Sequence, residues 1–122
     1  MVPKIISNNP RVRENCENVC YFECSAADIL VVARDLVYEG YELVSHPMAA
    51  SIRLIFSPYK SIILGRKTDR VNYSHAQVIE AGIEKYRLLM SARPFKDKNN
   101  TDYQNIEYIL LKSALEEATH QF

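Results

Sequence analysis

Short runs of strand-forming residues alternate along this chain with longer segments of helical periodicity, and this alternation limits the fold more than any other feature. The strand-like runs lie at residues 2–7, 19–23, 41–44 and 61–64. Strands that alternate with helices favour an α/β sandwich, in which helices flank a small, mainly parallel four-stranded sheet. With right-handed crossovers, the first three strands are expected in the order 2-1-3.

The boundaries of the first long helix carry recognisable capping residues. Ser25 followed by Asp28 has the spacing of an N-cap with an acidic group in the first turn. Gly40 is well placed to end the same helix in the left-handed conformation. Earlier in the chain, Pro10 is expected to open a short helical turn. The sequence therefore predicts a helix between Ser25 and Gly40.

Two further helices are predicted in the second half of the chain. Capping boxes of the same type occur at Ser74 with Gln77 and at Thr101 with Gln104. The polar segment 94–100 is the predicted linker to the last helix. The apolar stripe of that helix is traced by Ile106, Ile109, Leu110, Ser113, Ala114 and Glu117. The stripe either packs on the sheet or pairs with another copy, and packing on the sheet is the favoured alternative.

Length, composition and charge are those of a globular protein. A chain of 122 residues has the size of one domain, so we expect a single α/β domain over residues 1–122. Fifteen basic residues balance fifteen acidic ones, so the long-range attraction that supports non-specific nucleic-acid or membrane binding is missing. Neither a secretory signal nor a membrane span is apparent. We expect a cytoplasmic protein that binds neither nucleic acid nor membrane.

The three cysteines, Cys16, Cys20 and Cys24, lie within nine positions. An odd number so closely spaced argues against an extracellular disulfide framework. Structural zinc sites use closer pairs and a fourth ligand, so the spacing favours buried free thiols over a metal site. An iron–sulfur or redox site is the alternative. We expect no metal and no cofactor.

Polar residues follow two of the predicted strands. Asn8 and Asn9 come after the first strand, and Ser45 and His46 come after the third. A proline follows each pair and restricts the preceding residue to extended conformations. Ligands of open α/β sheets collect beyond the carboxyl ends of the strands, and the order 2-1-3 brings these two corners side by side. The sequence therefore predicts a polar pocket at this edge.

The segment after the second corner adds positive charge to this predicted pocket. Arg53 and Lys60 can bind a carboxylate or a phosphate, and Ser51 adds a hydroxyl. We predict that a small anionic ligand binds at the carboxyl edge of the sheet through Asn8, Asn9, Ser45, His46, Ser51, Arg53 and Lys60. A purely structural role is the alternative, because Asn, Pro and His-Pro are common in turns.

No catalytic motif is apparent in the sequence. It contains no nucleophile elbow, no glycine-rich phosphate loop and no metal-binding pair of histidines at helical spacing. The three histidines, His46, His75 and His120, are scattered along the chain. A serine beside His46 would lack an identifiable third group, so no catalytic residue is assigned. The sequence is compatible both with an enzyme and with a non-catalytic protein.

Four blocks of the sequence resemble the GrdX family, small proteins encoded with the glycine, sarcosine and betaine reductase genes of amino-acid-fermenting anaerobes. The blocks are SNNP at 7–10, RDLV at 34–37 followed by Gly40, SHPMAAS at 45–51 and SPYKS at 57–61. They span most of the first two-thirds of the chain, and two of them are the polar corners described above. The resemblance implies an accessory role around a reductase system, without an assigned activity.

The sequence therefore supports two functional hypotheses. In the first, the protein is a small-molecule-binding accessory of a glycine or betaine reductase system, with an anion at the polar corners. In the second, it is a non-catalytic interaction subunit whose loops and last helix contact a reductase component or another copy of itself. Stabilisation by a small ligand would favour the first, and co-purification with a reductase subunit would favour the second.

Overall fold

The computed structural model describes residues 3–47, 57–92 and 100–119 as a mixed α/β fold. Strands and helices follow one another along the chain, as the sequence predicts. The elements are β1 (Lys4–Ser7), α1 (Pro10–Asn15), β2 (Val19–Tyr21), α2 (Ala26–Tyr38), β3 (Tyr41–Leu43), β4 (Ser61–Lys67), α3 (Tyr73–Ala92) and α4 (Asn100–Thr119).

The four strands form one mixed sheet in the order β2-β1-β4-β3. β1 and β2 are parallel, whereas β4 is antiparallel to both of its neighbours. The predicted mainly parallel sheet is therefore wrong, as is the direct pairing of the first and third strands. The physical reason lies in β4, where Ile62, Ile63 and Leu64 are all fully buried. A run that is buried on both faces has the same apolar pattern whichever way it points, so its direction was not encoded locally.

Helices cover both faces of the sheet and divide the core in two. On one face, α2 and α3 pack on Ile6, Ile62 and Leu64. On the other face, Ile5 and Ile63 belong to a smaller apolar cluster that α1 and α4 complete. The alternation of side chains along β1 and β4 produces this division, because neighbouring residues of a strand point to opposite faces.

The predicted boundaries of α2 are confirmed. Ser25 is the N-cap, and its hydroxyl accepts a hydrogen bond of 3.1 Å from the backbone N–H of Asp28. After the helix, Gly40 has a φ of +113°, a conformation that L-residues rarely adopt. The backbone oxygen of Thr68 comes so close that a Cβ on Gly40 would lie 2.2 Å from it. Glycine is therefore needed here both for conformation and for space.

The helix α3 begins earlier than its predicted capping box. Its first residue is Tyr73, and the side-chain oxygen of Asn72 accepts a hydrogen bond of 3.1 Å from the backbone N–H of His75. Asn72, rather than the predicted Ser74, therefore occupies the capping position. Both residues suit such a position, and spacing alone did not separate them.

The last helix, α4, uses a different face from the predicted stripe. Leu111 is buried, and Tyr108, Ala114 and Leu115 pack with it against the smaller apolar cluster. Most of the predicted stripe is instead exposed: Ile106 by 46%, Ile109 by 59% and Leu110 by 47%. The helix begins at Asn100, the last residue of the predicted linker, and residues 93–99 lie outside the described residues.

Candidate functional site

Three segments named by the sequence analysis meet at one end of the sheet. Because β4 runs antiparallel to β1 and β3, those two strands end where β4 begins. Lys60, just before β4, joins the two corners. Its backbone N–H donates to Asn8 Oδ1 at 2.8 Å, and its Nζ donates to the backbone oxygen of Pro47 at 3.1 Å. The corners thus share an end of the sheet, with β4 between them.

Asn8 holds the first corner in place from within the protein. It is only 6% exposed. Its Nδ2 donates to the backbone oxygens of Cys24 at 2.8 Å and Pro58 at 2.9 Å, while Oδ1 accepts from Lys60. All the hydrogen-bonding groups of the amide are therefore engaged. In this state Asn8 positions Lys60 rather than offering atoms to a ligand.

The neighbouring polar side chains are also engaged by the protein. Asn9 is fully buried; its Oδ1 caps α1 by accepting from the backbone N–H of Arg11, and its Nδ2 donates to the backbone oxygen of Gln104 at 3.0 Å. Ser45 Oγ accepts from the backbone N–H of Ile63 at 2.9 Å. Direct contact of Asn9 and Ser45 with a ligand stays a prediction.

The remaining predicted ligand residues differ in what can be said of them. His46 is exposed and lies beside the buried Pro47. Ser51 and Arg53 lie outside the described residues, so their part in the site stays a prediction. Lys60 is therefore the positive charge around which the described site is built.

Lys60 is a buried cation without a carboxylate partner among the described residues. It is 5% exposed, and its Nζ lies 5.7 Å from the centroid of the Tyr86 ring. The ion pairs of this part of the chain are those of Arg34, so Nζ has no carboxylate within 4.0 Å there. Burial lowers the pKa of Lys60 to about 8, against the opposing influence of the Glu107 charge.

Glu107 on α4 contributes a half-buried carboxyl group on the other face. Its Oε1 accepts a hydrogen bond of 2.5 Å from Ser61 Oγ, which lies 2.8 Å from Ser7 Oγ. Burial raises the pKa of Glu107, and hydrogen bonds from Ser61 and Asn9 together with the charge of Lys60 oppose that rise. The carboxyl group is therefore biased towards its protonated form.

The two titratable groups approach the sheet end from opposite faces. Lys60 and Ser61 are adjacent, so their side chains point in opposite directions. Lys60 extends towards Tyr86 on α3, and Ser61 extends towards Glu107 on α4. The site therefore combines an amine whose pKa is lowered to about 8 with a carboxyl group that retains its proton more strongly than usual.

Sequence reasoning missed Glu107, Gln104 and Tyr86. Gln104 Nε2 donates to the hydroxyl of Tyr59 at 2.8 Å, so α4 also contacts the segment that leads into β4. A signal was present in the spacing: Gln104 and Glu107 lie seven and four residues before Leu111, on the packing face of α4. Polar residues on the buried face of a helix usually have specific partners.

The described part of the chain offers no metal site and no membrane-spanning helix. No three of its His, Cys, Asp and Glu residues are grouped to hold a metal ion. Its helices all lack the combination of length and apolar character needed to cross a membrane. The cysteines are free thiols that are half-buried, and burial raises the pKa of Cys16 and Cys24. Because β2 ends at Tyr21, Cys24 does not share that strand with Cys20.

A separate surface groove lies along α2 and α3. Its volume is about 520 Å³, and its lining includes Arg34, Gln77, Glu80 and Arg87. Arg34 is already paired with Glu80 at 3.6 Å. No residue of the predicted ligand site lines this groove, so the sheet end around Lys60 is the stronger candidate.

Comparison with known proteins gives one match. The family model described as GrdX-like protein matches residues 4–116, which includes both polar corners, Lys60 and Glu107. No curated protein and no solved structure matches the chain.

Proposed function

We propose, from the premise that this chain belongs to the GrdX-like family, that it is an accessory protein that binds a small carboxylate or phosphate at Lys60. The family supports an accessory role of the glycine reductase type. The ligand class rests on the chemistry around Lys60. The two parts of the proposal are therefore tested separately.

The ligand proposal depends on one observation: Lys60 is buried and has no carboxylate partner among the described residues. Its ammonium group has lost most of its water, and among the described residues it gains one backbone oxygen, that of Pro47, and an aromatic ring. Removing a charge from water without a counter-ion costs several kcal/mol. A ligand anion at Nζ would supply the missing charge, because buried charges are normally paired.

The surroundings favour a small ligand that approaches from the side of His46. Pro47 and Tyr86 are both buried and lie against the Lys60 side chain, whereas His46 is exposed. The backbone oxygen that accepts from Nζ therefore belongs to the residue next to an exposed one. The chain has no net charge, so selectivity for an anion would come from this site rather than from long-range attraction.

Thermal unfolding in the presence of candidate carboxylates and phosphates tests the proposal. Acetate, glycine, betaine, inorganic phosphate and acetyl phosphate are compared, with sodium chloride at equal ionic strength as the baseline. A ligand at a hundred times its Kd stabilises the folded state by about 2.7 kcal/mol, which raises Tm by several degrees. We expect at least one anion to raise Tm.

Two variants assign the effect to the site. Lys60→Met should abolish the rise in Tm, whereas Lys85→Met, which removes a lysine from an exposed position on α3, should retain it. If no anion stabilises the native protein, or if Lys60→Met responds like the native protein, the ligand proposal is refuted. The accessory role is tested separately by affinity purification with the glycine reductase subunits.

The exposed face of α4 favours a second candidate function, an interaction subunit. Ile106, Ile109 and Leu110 form an apolar patch with 46–59% exposure on a helix whose opposite face packs on the sheet. Such a patch is typical of a protein contact. Co-purification of a reductase component or self-association in sedimentation, lost in Ile109→Lys, would favour this function if no anion binds.

A further inference from the structure

We infer that Lys60 also acts as a free amine and forms a reversible imine with small uncharged aldehydes and ketones. This activity goes beyond the proposed anion binding and uses the other protonation state of the same group. The ammonium form would pair with an anion, whereas the neutral amine has a lone pair that adds to a carbonyl carbon.

The position of Nζ destabilises its charged form and so increases the neutral fraction. The group is enclosed by Pro47 and the Tyr86 ring, and no described carboxylate stabilises its charge by an ion pair. Desolvated lysines in such surroundings are the ones that proteins use as nucleophiles towards carbonyl compounds.

The protonation equilibrium supports the same conclusion. With a pKa of about 8, roughly a tenth of the Lys60 side chains are neutral at pH 7. An amine at the ordinary lysine value of about 10.4 is neutral in well under one molecule in a thousand. The neutral fraction of Lys60 is therefore more than a hundredfold higher than that of an ordinary lysine. This gain offsets a considerable loss of access through burial.

Titratable groups near Lys60 come from three parts of the chain. Glu107 reaches the sheet end from α4, its charge acts on Lys60, and burial raises its pKa. Tyr86 faces Lys60 from α3, and burial raises the pKa of its hydroxyl as well. The exposed His46 adjoins Pro47 from the loop side. Lys60 is thus the nucleophile of the group. Tyr86 lies on its side of the sheet, with the ring centroid 5.7 Å from Nζ, whereas Glu107 accepts a hydrogen bond from Ser61 on the opposite face.

The reaction needs no oxidant or reductant. The Nζ lone pair bonds to the carbonyl carbon, and the π electrons move to the oxygen, which takes a proton as the nitrogen loses one. The resulting hydroxyl group leaves as water after a second proton transfer, for which solvent supplies the proton. The nitrogen lone pair then forms the C=N bond, and loss of the second amine proton gives the neutral imine. Addition of water reverses each step.

Reductive trapping tests the inference on the native protein. The folded protein is treated with acetaldehyde and sodium cyanoborohydride at pH 7, where the borohydride delivers hydride to the imine carbon. After digestion at glutamate residues, mass spectrometry measures the rate of ethylation of each lysine. We expect Lys60 to be ethylated at least tenfold faster than the exposed Lys85. Ethylation of Lys85 ahead of Lys60 would overturn the inference.

A variant and a competitor separate this inference from the proposed function. Lys60→Arg keeps the positive charge but cannot form an imine, so the fast phase should vanish while Lys85 is labelled as before. Saturating acetate or phosphate should slow the labelling of Lys60 by holding it as the ammonium. Selective labelling without any anion binding would refute the proposed function alone, whereas anion binding without selective labelling would refute the imine alone.

Discussion

Replacing Lys60 with methionine removes a buried charge and retains the length of the side chain. The pKa of Lys60 falls from 10.5 to about 8 on folding, so its proton affinity drops by more than two powers of ten. Each power of ten is worth about 1.4 kcal/mol, which makes the charged form about 3 kcal/mol less stable in the folded protein than in the unfolded chain. Methionine does not carry this cost.

The sign of the pH dependence follows from where the two states bind protons. Below pH 8, Lys60 is charged in both the folded and the unfolded protein, so the full cost is present. Between pH 8 and 10.5 the unfolded chain retains a proton that the folded protein has lost, and the contribution of Lys60 to stability rises with pH. The contribution is constant again above 10.5.

Urea unfolding at pH 7 and pH 10.5 measures this contribution as a difference between native protein and variant. Burial raises the pKa values of Tyr86, Cys16 and Cys24, so these groups make the folded state less stable at high pH in both proteins. Their effect cancels in the difference. We expect the native protein to gain about 3 kcal/mol relative to Lys60→Met between the two pH values.

The loss of the hydrogen bond to Pro47 costs the variant about 1 kcal/mol, but it does so at both pH values and leaves the expected change intact. Lys85→Met controls for the removal of one positive charge and should differ from the native protein equally at both pH values. A difference between native protein and Lys60→Met that does not change with pH would refute the argument that burial destabilises the Lys60 charge.

Two further substitutions test the turn after α2 and the carboxyl group on α4. Gly40→Ala should lower the free energy of unfolding in urea by about 2–4 kcal/mol, because φ is +113° and the new Cβ would meet the backbone oxygen of Thr68. Glu39→Ala is the control. A loss below about 0.5 kcal/mol for Gly40→Ala would contradict the steric argument. The pKa of Glu107 is raised on folding, so protonation of Glu107 stabilises the folded protein. This stabilisation is complete below pH 4.5 and is lost as the pH rises through the pKa of the folded state. The native protein should therefore gain stability relative to Glu107→Gln when the pH falls from 7 to 5. Tm measurements at the two pH values check this, and a native protein that instead loses stability relative to the variant would count against it.

The secondary structure was predictable because its signals are local. Ser25 caps α2 through the hydroxyl that its spacing from Asp28 indicates, and Gly40 adopts the positive φ expected after the helix. These features depend on residues within one or two turns of each other. The mixed α/β class follows from the order of such segments, and it is confirmed.

The direction of β4 was not predictable, because it depends on contacts between distant residues. Ser61 pairs with Ser7 and Leu64 pairs with Lys4, at sequence separations of 54 and 60 residues. The apolar pattern of β4 is equally compatible with an antiparallel strand between β1 and β3 and with a parallel strand at the edge of the sheet.

The site was partly predictable for the same reason. Loop composition identified the two corners and Lys60, but the sequence could not indicate that Asn8 and Asn9 direct their amides inwards. Glu107 is contributed by a helix whose apolar residues suggested a different packing face. Its hydrogen bond to Ser61 spans 46 residues of sequence, and only the tertiary packing of α4 reveals it.

The carboxamide of Asn8 has a mechanical consequence. It is bonded at once to the residue that precedes the cap of α2, to Pro58 and to the backbone of Lys60. Any shift of the Lys60 backbone therefore strains the same amide that anchors Cys24, next to the start of α2. The start of β4 is in this way linked to the start of α2 by two hydrogen bonds of one side chain.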